Sequence, residues 1–231
     1  MDPSAEDGRN MQRRSPKEKL YSALYGLLQR SGMTNLLAHY ELARNGYLVK
    51  TGWFNAFAAG MPVDGKGEPL PWLVYPVIEL LAERVKPHFR VFEYGSGASS
   101  RWWAAHVEQV VSVENNRRWY ERGLKSAPAN LRIIHRGESD YPRAIVEQGT
   151  TFHVVVVDGR WRAECALTGA EYLTEDGVII WDNSERPHYA EAQAQLRERN
   201  FKQLRLRGIA PSSVAWQETS ILYRPGNCLE L

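Results

Sequence analysis

Two acids and a pair of glycines are the first residues whose types and spacing could do chemistry. In Val-Phe-Glu-Tyr-Gly-Ser-Gly-Ala-Ser-Ser-Arg, residues 91–101, a buried-strand pattern stops at Glu93 and breaks into a glycine-containing loop, after which a helix begins. Small residues let a ligand approach the backbone closely, and the first helical turn offers unpaired N–H donors. The next strand pattern, Val110 to Val113, ends in Glu114, and an acid at that point can accept hydrogen bonds from both hydroxyls of a ribose. Two acids flanking one glycine loop suggest an adenosine ligand. Further along, Gly137-Glu138-Ser139 and Asp158-Gly159 end two more strand patterns, so all four groups fall at carboxyl ends, where an open parallel sheet binds its ligands.

A second set comprises Asp158 with Asp182 and Asn183, the latter two in Gly-Val-Ile-Ile-Trp-Asp-Asn-Ser. Two carboxylates and an amide are hard oxygen ligands of the kind Mg²⁺ or Ca²⁺ prefers. Asp and Asn also favour turns, so Asp182 and Asn183 are equally read as capping the turn into the following helix. Arg160 and Arg162 follow Asp158 and could grip an anion, with Trp161 available to stack on a ring.

The elements that position these residues follow from apolar periodicity. Strands are expected at 90–94, 109–114, 131–135, 152–157 and 178–181, with helices at 99–107, 116–125, 141–148 and 188–199 between or after them. Continuous apolar runs such as Phe152 to Val157 belong in a sheet covered on both faces. The fold class is therefore α/β: a doubly wound, mostly parallel sheet. Phe201 to Arg207 and Glu218 to Arg224 are separated by too few residues for a helical crossover and should pair antiparallel. Upstream, a helix over Lys17 to Arg30 and another from Thr34 to about Gly46 make an N-terminal helical extension, and Gly60 to Pro71 reads as a loop. Pro71 suits the first position of a helix running to about Val85, with Trp72 on its apolar face. For Trp53, Phe54, Phe57 and Trp72, core packing outweighs a substrate-lid role. The expected organisation is a mobile polar tail at 1–16, a helical cap and loop at 17–70, and the main domain at 71–231.

Composition narrows the class. Twenty-nine Lys and Arg against 27 Asp and Glu leave a formal charge of +2, too balanced for a dedicated nucleic-acid surface. Cys165 and Cys228 are the only cysteines and show no metal-binding or redox spacing, so both are expected as free thiols in a reducing compartment. No signal-peptide core or membrane-length apolar run is present, which makes the cytoplasm the expected location and excludes a membrane partner.

From Phe92 to about Asn183 the chain resembles the class I S-adenosylmethionine-dependent methyltransferases, whose glycine motif is similar to Glu93-Tyr94-Gly95-Ser96-Gly97-Ala98. The resemblance implies a seven-stranded Rossmann-like sheet ending in the antiparallel pair. It also implies S-adenosylmethionine as cofactor: Glu93, Tyr94, Gly95, Ser96, Gly97, Ala98 and Ser99 around the methionine portion, Glu114 and Asn115 at the ribose, Gly137, Glu138 and Ser139 at the adenine edge, and Asp158, which ends the segment similar to the fourth-strand motif, as a cofactor contact that can bond its amine. Where the family often has a third small residue, this chain has Ser99 and Ser100; either hydroxyl could bond the cofactor carboxylate or cap the helix. The spacing of Asp158, Asp182 and Asn183 is similar to that of metal-dependent O-methyltransferases acting on catechols and sugar hydroxyls. Asp158, as a base or through a bound cation, is the expected catalytic group. The acceptor expected is a small or saccharide-like molecule methylated on oxygen, and a homo-oligomer is compatible with the sequence. Two alternatives stand beside this reading: a catalytically silent nucleotide-binding scaffold, and a nicotinamide-dependent oxidoreductase, whose fingerprint would need glycine where Ser100 stands.

Overall fold

A computed structural model describes residues 15–231, in two compact units that divide between Lys50 and Thr51. Most of the polar tail expected at 1–16 lies outside the described residues. Within the first unit, helix α1 (Pro16–Arg30) starts on a proline, which suits a position whose N–H has no helical partner, and packs on α2 (Thr34–Asn45); a single turn, α3 (Tyr47–Lys50), follows. None of the residues of α2 or α3 is buried, and Leu20 and Leu27 of α1 stay exposed.

The second unit begins with α4 (Trp53–Ala59), the loop that follows it and α5 (Tyr75–Arg84). Pro76, not Pro71, lies in the first turn of α5, and Leu73 and Val74 before it are already core residues. Trp72 therefore precedes the helix and escapes its apolar face; it is 45% exposed. Phe54 and Phe57 are exposed as well, while Trp53 stacks on Phe57 at 5.0 Å and donates its indole N–H to the Ser213 carbonyl at 2.8 Å. Gly52 locks this region, because its φ of +79° is left-handed and a β-carbon there would lie 2.2 Å from the Gly65 backbone nitrogen. Gly52→Ala is expected to destabilise the protein by about 2–4 kcal/mol, from left-handed strain plus backbone overlap, as checked by urea unfolding.

The sheet is built from β1 (Arg90–Tyr94), β2 (Gln109–Glu114), β3 (Leu131–His135), β4 (Phe152–Val157), β5 (Leu173–Asp182), β6 (Lys202–Ile209) and β7 (Trp216–Tyr223). Its order is β3-β2-β1-β4-β5-β7-β6, with β7 antiparallel to both of its neighbours and the others parallel. The intervening helices are α6 (Ala98–His106), α7 (Arg117–Leu124), α8 (Arg162–Gly169) and α9 (Ala190–Glu198). The segment expected as a helix at 141–148 is a 3-10 helix, Pro142–Gln148, and a further 3-10 turn, Pro187–Tyr189, precedes α9.

Period-2 alternation sends side chains to two cores. Val91, Val110, Val154, Val156, Val178 and Ile180 pack with α5 and α6, whereas Phe92, Tyr94, Val111, Val155, Val157, Ile179 and Trp181 pack with α8 and α9. Both faces are dry, which is why these strands read as unbroken apolar runs. The strand β5 is longer than its apolar stretch: Leu173 pairs with Phe152, the register then shifts, and Val178 resumes opposite Val154. Gly177 sits at this irregularity, where a β-carbon would come within 3.0 Å of the Phe152 carbonyl oxygen. Both cysteines are buried and free. No helix among the described residues is long and apolar enough to cross a membrane.

Candidate functional site

β1 and β4 are adjacent, and their connections leave to opposite sides, so a crevice opens beyond their carboxyl ends. It holds a cavity of about 660 Å³, within the range of small-molecule sites. Its lining falls into two halves. The β1–β2 half brings together Glu93, Gly95, Ser96, Gly97, Ala98, Ser99, Glu114, Asn115, Asn116 and Trp119, while the β4–β5 half contributes Asp158, Arg160, Arg162, Asp182, Asn183 and Arg186; Trp72, Met61 and Gln217 also line the cavity.

Glu93 has the parity of Val91 and so falls on the α6 side of the sheet. It is 1% exposed and accepts hydrogen bonds from the hydroxyls of Ser100 and Ser112, the latter at 3.1 Å. Burial raises its pKa, and the serine hydroxyls offset part of that rise. Ser100 also accepts from the Gly97 N–H at 3.1 Å, so it ties the glycine loop to the first turn of α6. The Ser99 hydroxyl is buried beside the cavity; it is near enough to Glu93 to help lower that acid's pKa but makes no hydrogen bond of good geometry. Gly97 has φ +153° and ψ −137°, a region essentially reserved for glycine, and nothing lies within 4 Å of where its β-carbon would stand.

Glu114 closes β2 at 7% exposure. One oxygen accepts from the Asn116 N–H at 2.7 Å and the other from the Ser96 hydroxyl at 2.9 Å. An ionised carboxylate has about four acceptor sites, so two remain for a ligand. Asn116 caps α7, its side-chain oxygen accepting from the N–H groups of Arg118 and Trp119 at 3.0 and 3.2 Å. Gly137 and Glu138 line a shallower cavity of about 550 Å³ that shares Asn115 and Arg160 with the main one.

Two residues expected to contact the ligand lie outside the cavity linings. Tyr94 has the opposite parity to Glu93; its ring packs on Phe92 and its hydroxyl donates to the Pro142 carbonyl at 2.7 Å, away from the cavity lining. Ser139 lines neither cavity.

The oxygens of Asp158, Asp182 and Asn183 do converge, but on the guanidinium of Arg162. Its Nη2 donates to Asp158 Oδ1 at 2.8 Å, and its Nη1 to Asp182 Oδ2 at 3.2 Å and Asn183 Oδ1 at 3.1 Å. The same group also donates to the carbonyls of Gly159, Asp158 and Asp182. A side-chain cation thus stands where Mg²⁺ or Ca²⁺ was expected, and no group of three His, Cys, Asp or Glu side chains among the described residues is placed to hold a metal. Arg162 is only 11% exposed and is not a surface arginine at the start of its helix. It points inward because Trp161 before it takes a left-handed conformation (φ +47°), costly for a bulky residue, which turns the chain so that α8 starts over the strand ends. Trp161 itself rests on Tyr141 at 5.4 Å.

Asp158 and Asp182 are forced together under this one cation. Burial and then the Asp182 charge push the Asp158 pKa well above the carboxylate range, with Arg162 acting against them. Burial also raises Asp182, opposed by Arg162 and by the Thr219 hydroxyl, which donates to Asp182 Oδ1 at 3.0 Å. The pair holds a proton more readily than either acid alone.

Sequence reasoning missed Arg162 as the shared counter-ion, and it did not single out Asn116, Trp119, Tyr141, Arg186 or Gln217. The Asn-Arg-Arg-Trp order at the expected start of α7 was the available signal for the cap at Asn116. Tyr141 is explained by Gly159, where a β-carbon would stand 2.0 Å from the Tyr141 hydroxyl.

No protein-family model matches the chain, and no curated protein matches it by sequence. Solved structures do. A methyltransferase-like protein from Silicibacter pomeroyi is 23% identical with a TM-score of 0.50, covering 69% of this chain and 91% of its own. A precorrin-6y C5,15-methyltransferase from Geobacter metallireducens is 13% identical with a TM-score of 0.51, covering 64% of this chain and 86% of its own. With the strand order above, the chain shares the Rossmann-like fold of these two structures.

Proposed function

We propose that this chain is an S-adenosylmethionine-dependent methyltransferase that transfers to an oxygen of a small-molecule acceptor. The observation that carries the reading is Glu114, pre-set by Ser96 and the Asn116 N–H at the edge of a cavity whose far side holds a proton-accepting carboxylate pair. The residues fit the cofactor. Glu114 keeps acceptor sites for a ribose diol, the Ser99 hydroxyl, which makes no hydrogen bond of good geometry, suits a carboxylate, and the open side of Gly97 leaves room for a ligand against the backbone. In this reading Glu93, Gly95, Ser96, Gly97, Ala98 and Ser99 hold the methionine portion, Glu114 and Asn115 the ribose, and Gly137 and Glu138 the adenine edge.

When bound, S-adenosylmethionine supplies a methyl group already activated by its sulfonium. The chain's own work is alignment, exclusion of water and removal of the acceptor's proton. Asp158 is 23% exposed to the cavity and takes that proton at a carboxylate oxygen. Asp182 raises the basicity of Asp158, and Arg162 keeps the pair ionisable. Because a guanidinium fills the cation position, the reaction is expected to proceed without Mg²⁺ or Ca²⁺; activity abolished by a chelator and restored by Mg²⁺ would reverse this.

Calorimetry with S-adenosylhomocysteine tests the cofactor. Wild-type protein is expected to bind it, and Glu114→Gln, which keeps one acceptor oxygen but loses the other, should bind at least tenfold more weakly with unchanged thermal stability. Stabilisation by a nicotinamide dinucleotide and not by S-adenosylhomocysteine would point to the oxidoreductase alternative.

A further inference from the structure

The two halves of the cavity carry opposite charge. On the β1–β2 half the ionisable lining residues are Glu93 and Glu114, which suit a cationic ligand. On the β4–β5 half Asp158 and Asp182 face Arg160, Arg162 and Arg186, and Arg162 is spent on the two acids. The other two arginines have no acid partner among the described residues. Arg186 donates only to the neutral amide oxygen of Asn183, at 2.5 Å, and no ion pair or side-chain hydrogen bond holds Arg160. Glu185, next to Arg186 in the chain, pairs with neither arginine and is absent from the lining. The same cavity is lined by Trp72, which is 45% exposed, and by Met61 and Pro62, so its wall offers a flat apolar surface as well as two uncommitted guanidinium groups.

Resting on the methyltransferase reading above, we infer that the acceptor is an anion on a flat body: a hydroxylated aromatic carboxylate or phosphate, whose charge is held by Arg186 and Arg160 while its ring lies against Trp72. A planar guanidinium accepts either anion in two-pronged fashion, and its charge is worth most in a partly enclosed site. Anchoring the anion at Arg160 and Arg186 leaves the ring hydroxyl free to reach Asp158. The acceptor is thereby selected by charge at one end and deprotonated at the other.

Saturation-transfer NMR and calorimetry on protein saturated with S-adenosylhomocysteine decide the matter. The probes are 3,4-dihydroxybenzoate and 4-hydroxyphenyl phosphate, each against a neutral counterpart, 3,4-dihydroxybenzamide and 4-methoxyphenol. At least one anion is expected to bind at least tenfold more tightly than its counterpart, and the better one tells carboxylate from phosphate. Arg186→Gln and Arg160→Gln should each weaken that anion about tenfold while leaving S-adenosylhomocysteine affinity unchanged, and Trp72→Ala should weaken charged and neutral ring compounds alike. Equal binding of charged and neutral probes, failure of both anions to bind, or full affinity in both arginine variants overturns the inference. Failure of S-adenosylhomocysteine to bind wild-type protein would instead remove the methyltransferase reading.

Discussion

Asp158→Asn is expected to lower kcat by about 10²- to 10⁴-fold while leaving the protein folded and able to bind S-adenosylhomocysteine. The geometry separates the two effects. An asparagine oxygen can still accept from Arg162 Nη2, and Asp182 remains to balance the guanidinium, so the site loses its base without losing its hub. Removing one of two crowded carboxylates also relieves the repulsion that, with burial, raises the Asp158 pKa. The pH dependence provides a second check. Asp158 must be ionised to take a proton, and its pKa lies above the ordinary carboxylate range, so wild-type kcat/KM should rise with pH through that elevated value. Stability runs the other way. An acid whose folded pKa is raised contributes most below its unfolded value, near 3.9 for Asp, and the contribution fades as pH rises through the folded value. Activity in Asp158→Asn within threefold of wild type, with the acid limb intact, would remove Asp158 from the reaction.

Much of this arrangement was legible in the sequence. The strands over 90–94, 109–114, 131–135 and 152–157 fall where the apolar runs put them, since burial on both faces leaves little ambiguity about where a strand stops. The acids at their ends followed from those stops. β5 was legible only over its second half, because Thr174-Glu175-Asp176-Gly177 reads as a turn; in the fold Gly177 absorbs a register shift that local patterning does not announce. Ser99 and Ser100 show the limit at the level of single side chains. Both hydroxyls were candidates for either capping or ligand binding, and only the packing of α6 on Glu93 assigns the network to Ser100 and leaves Ser99 facing the cavity. Arg162 was the least legible. Its direction depends on a left-handed residue at Trp161, a conformation that sequence gives no reason to expect of tryptophan, and its three partners are 4, 20 and 21 positions away. The three oxygens were legible as a candidate cation site set against a turn cap; that the chain supplies the cation itself was not.

Arg162→Met is expected to destabilise the protein by about 3–5 kcal/mol, the usual consequence of stripping a buried charge of its partner. For a unit of this size that corresponds to a fall in Tm of roughly 6–20 °C. Methionine keeps much of the volume, so a cavity is not the cause; what is lost is the counter-ion for Asp158 and Asp182 and donors to the Gly159, Asp158 and Asp182 carbonyls. The sign with pH follows. Without the guanidinium the two carboxylates' pKa values rise further, so their penalty is absent below the unfolded carboxylate pKa and grows as pH climbs through the elevated folded values. Loss of stability should therefore be smaller at pH 5 than at pH 8 in parallel urea titrations. Adding Asp182→Asn to Arg162→Met should restore part of the difference at pH 8, since one acid alone has no like charge to oppose it. A loss that is the same at both pH values, and unchanged in the double variant, would mean that Arg162 stabilises by packing and not by charge, and the proposed activation of Asp158 would lose its electrostatic basis.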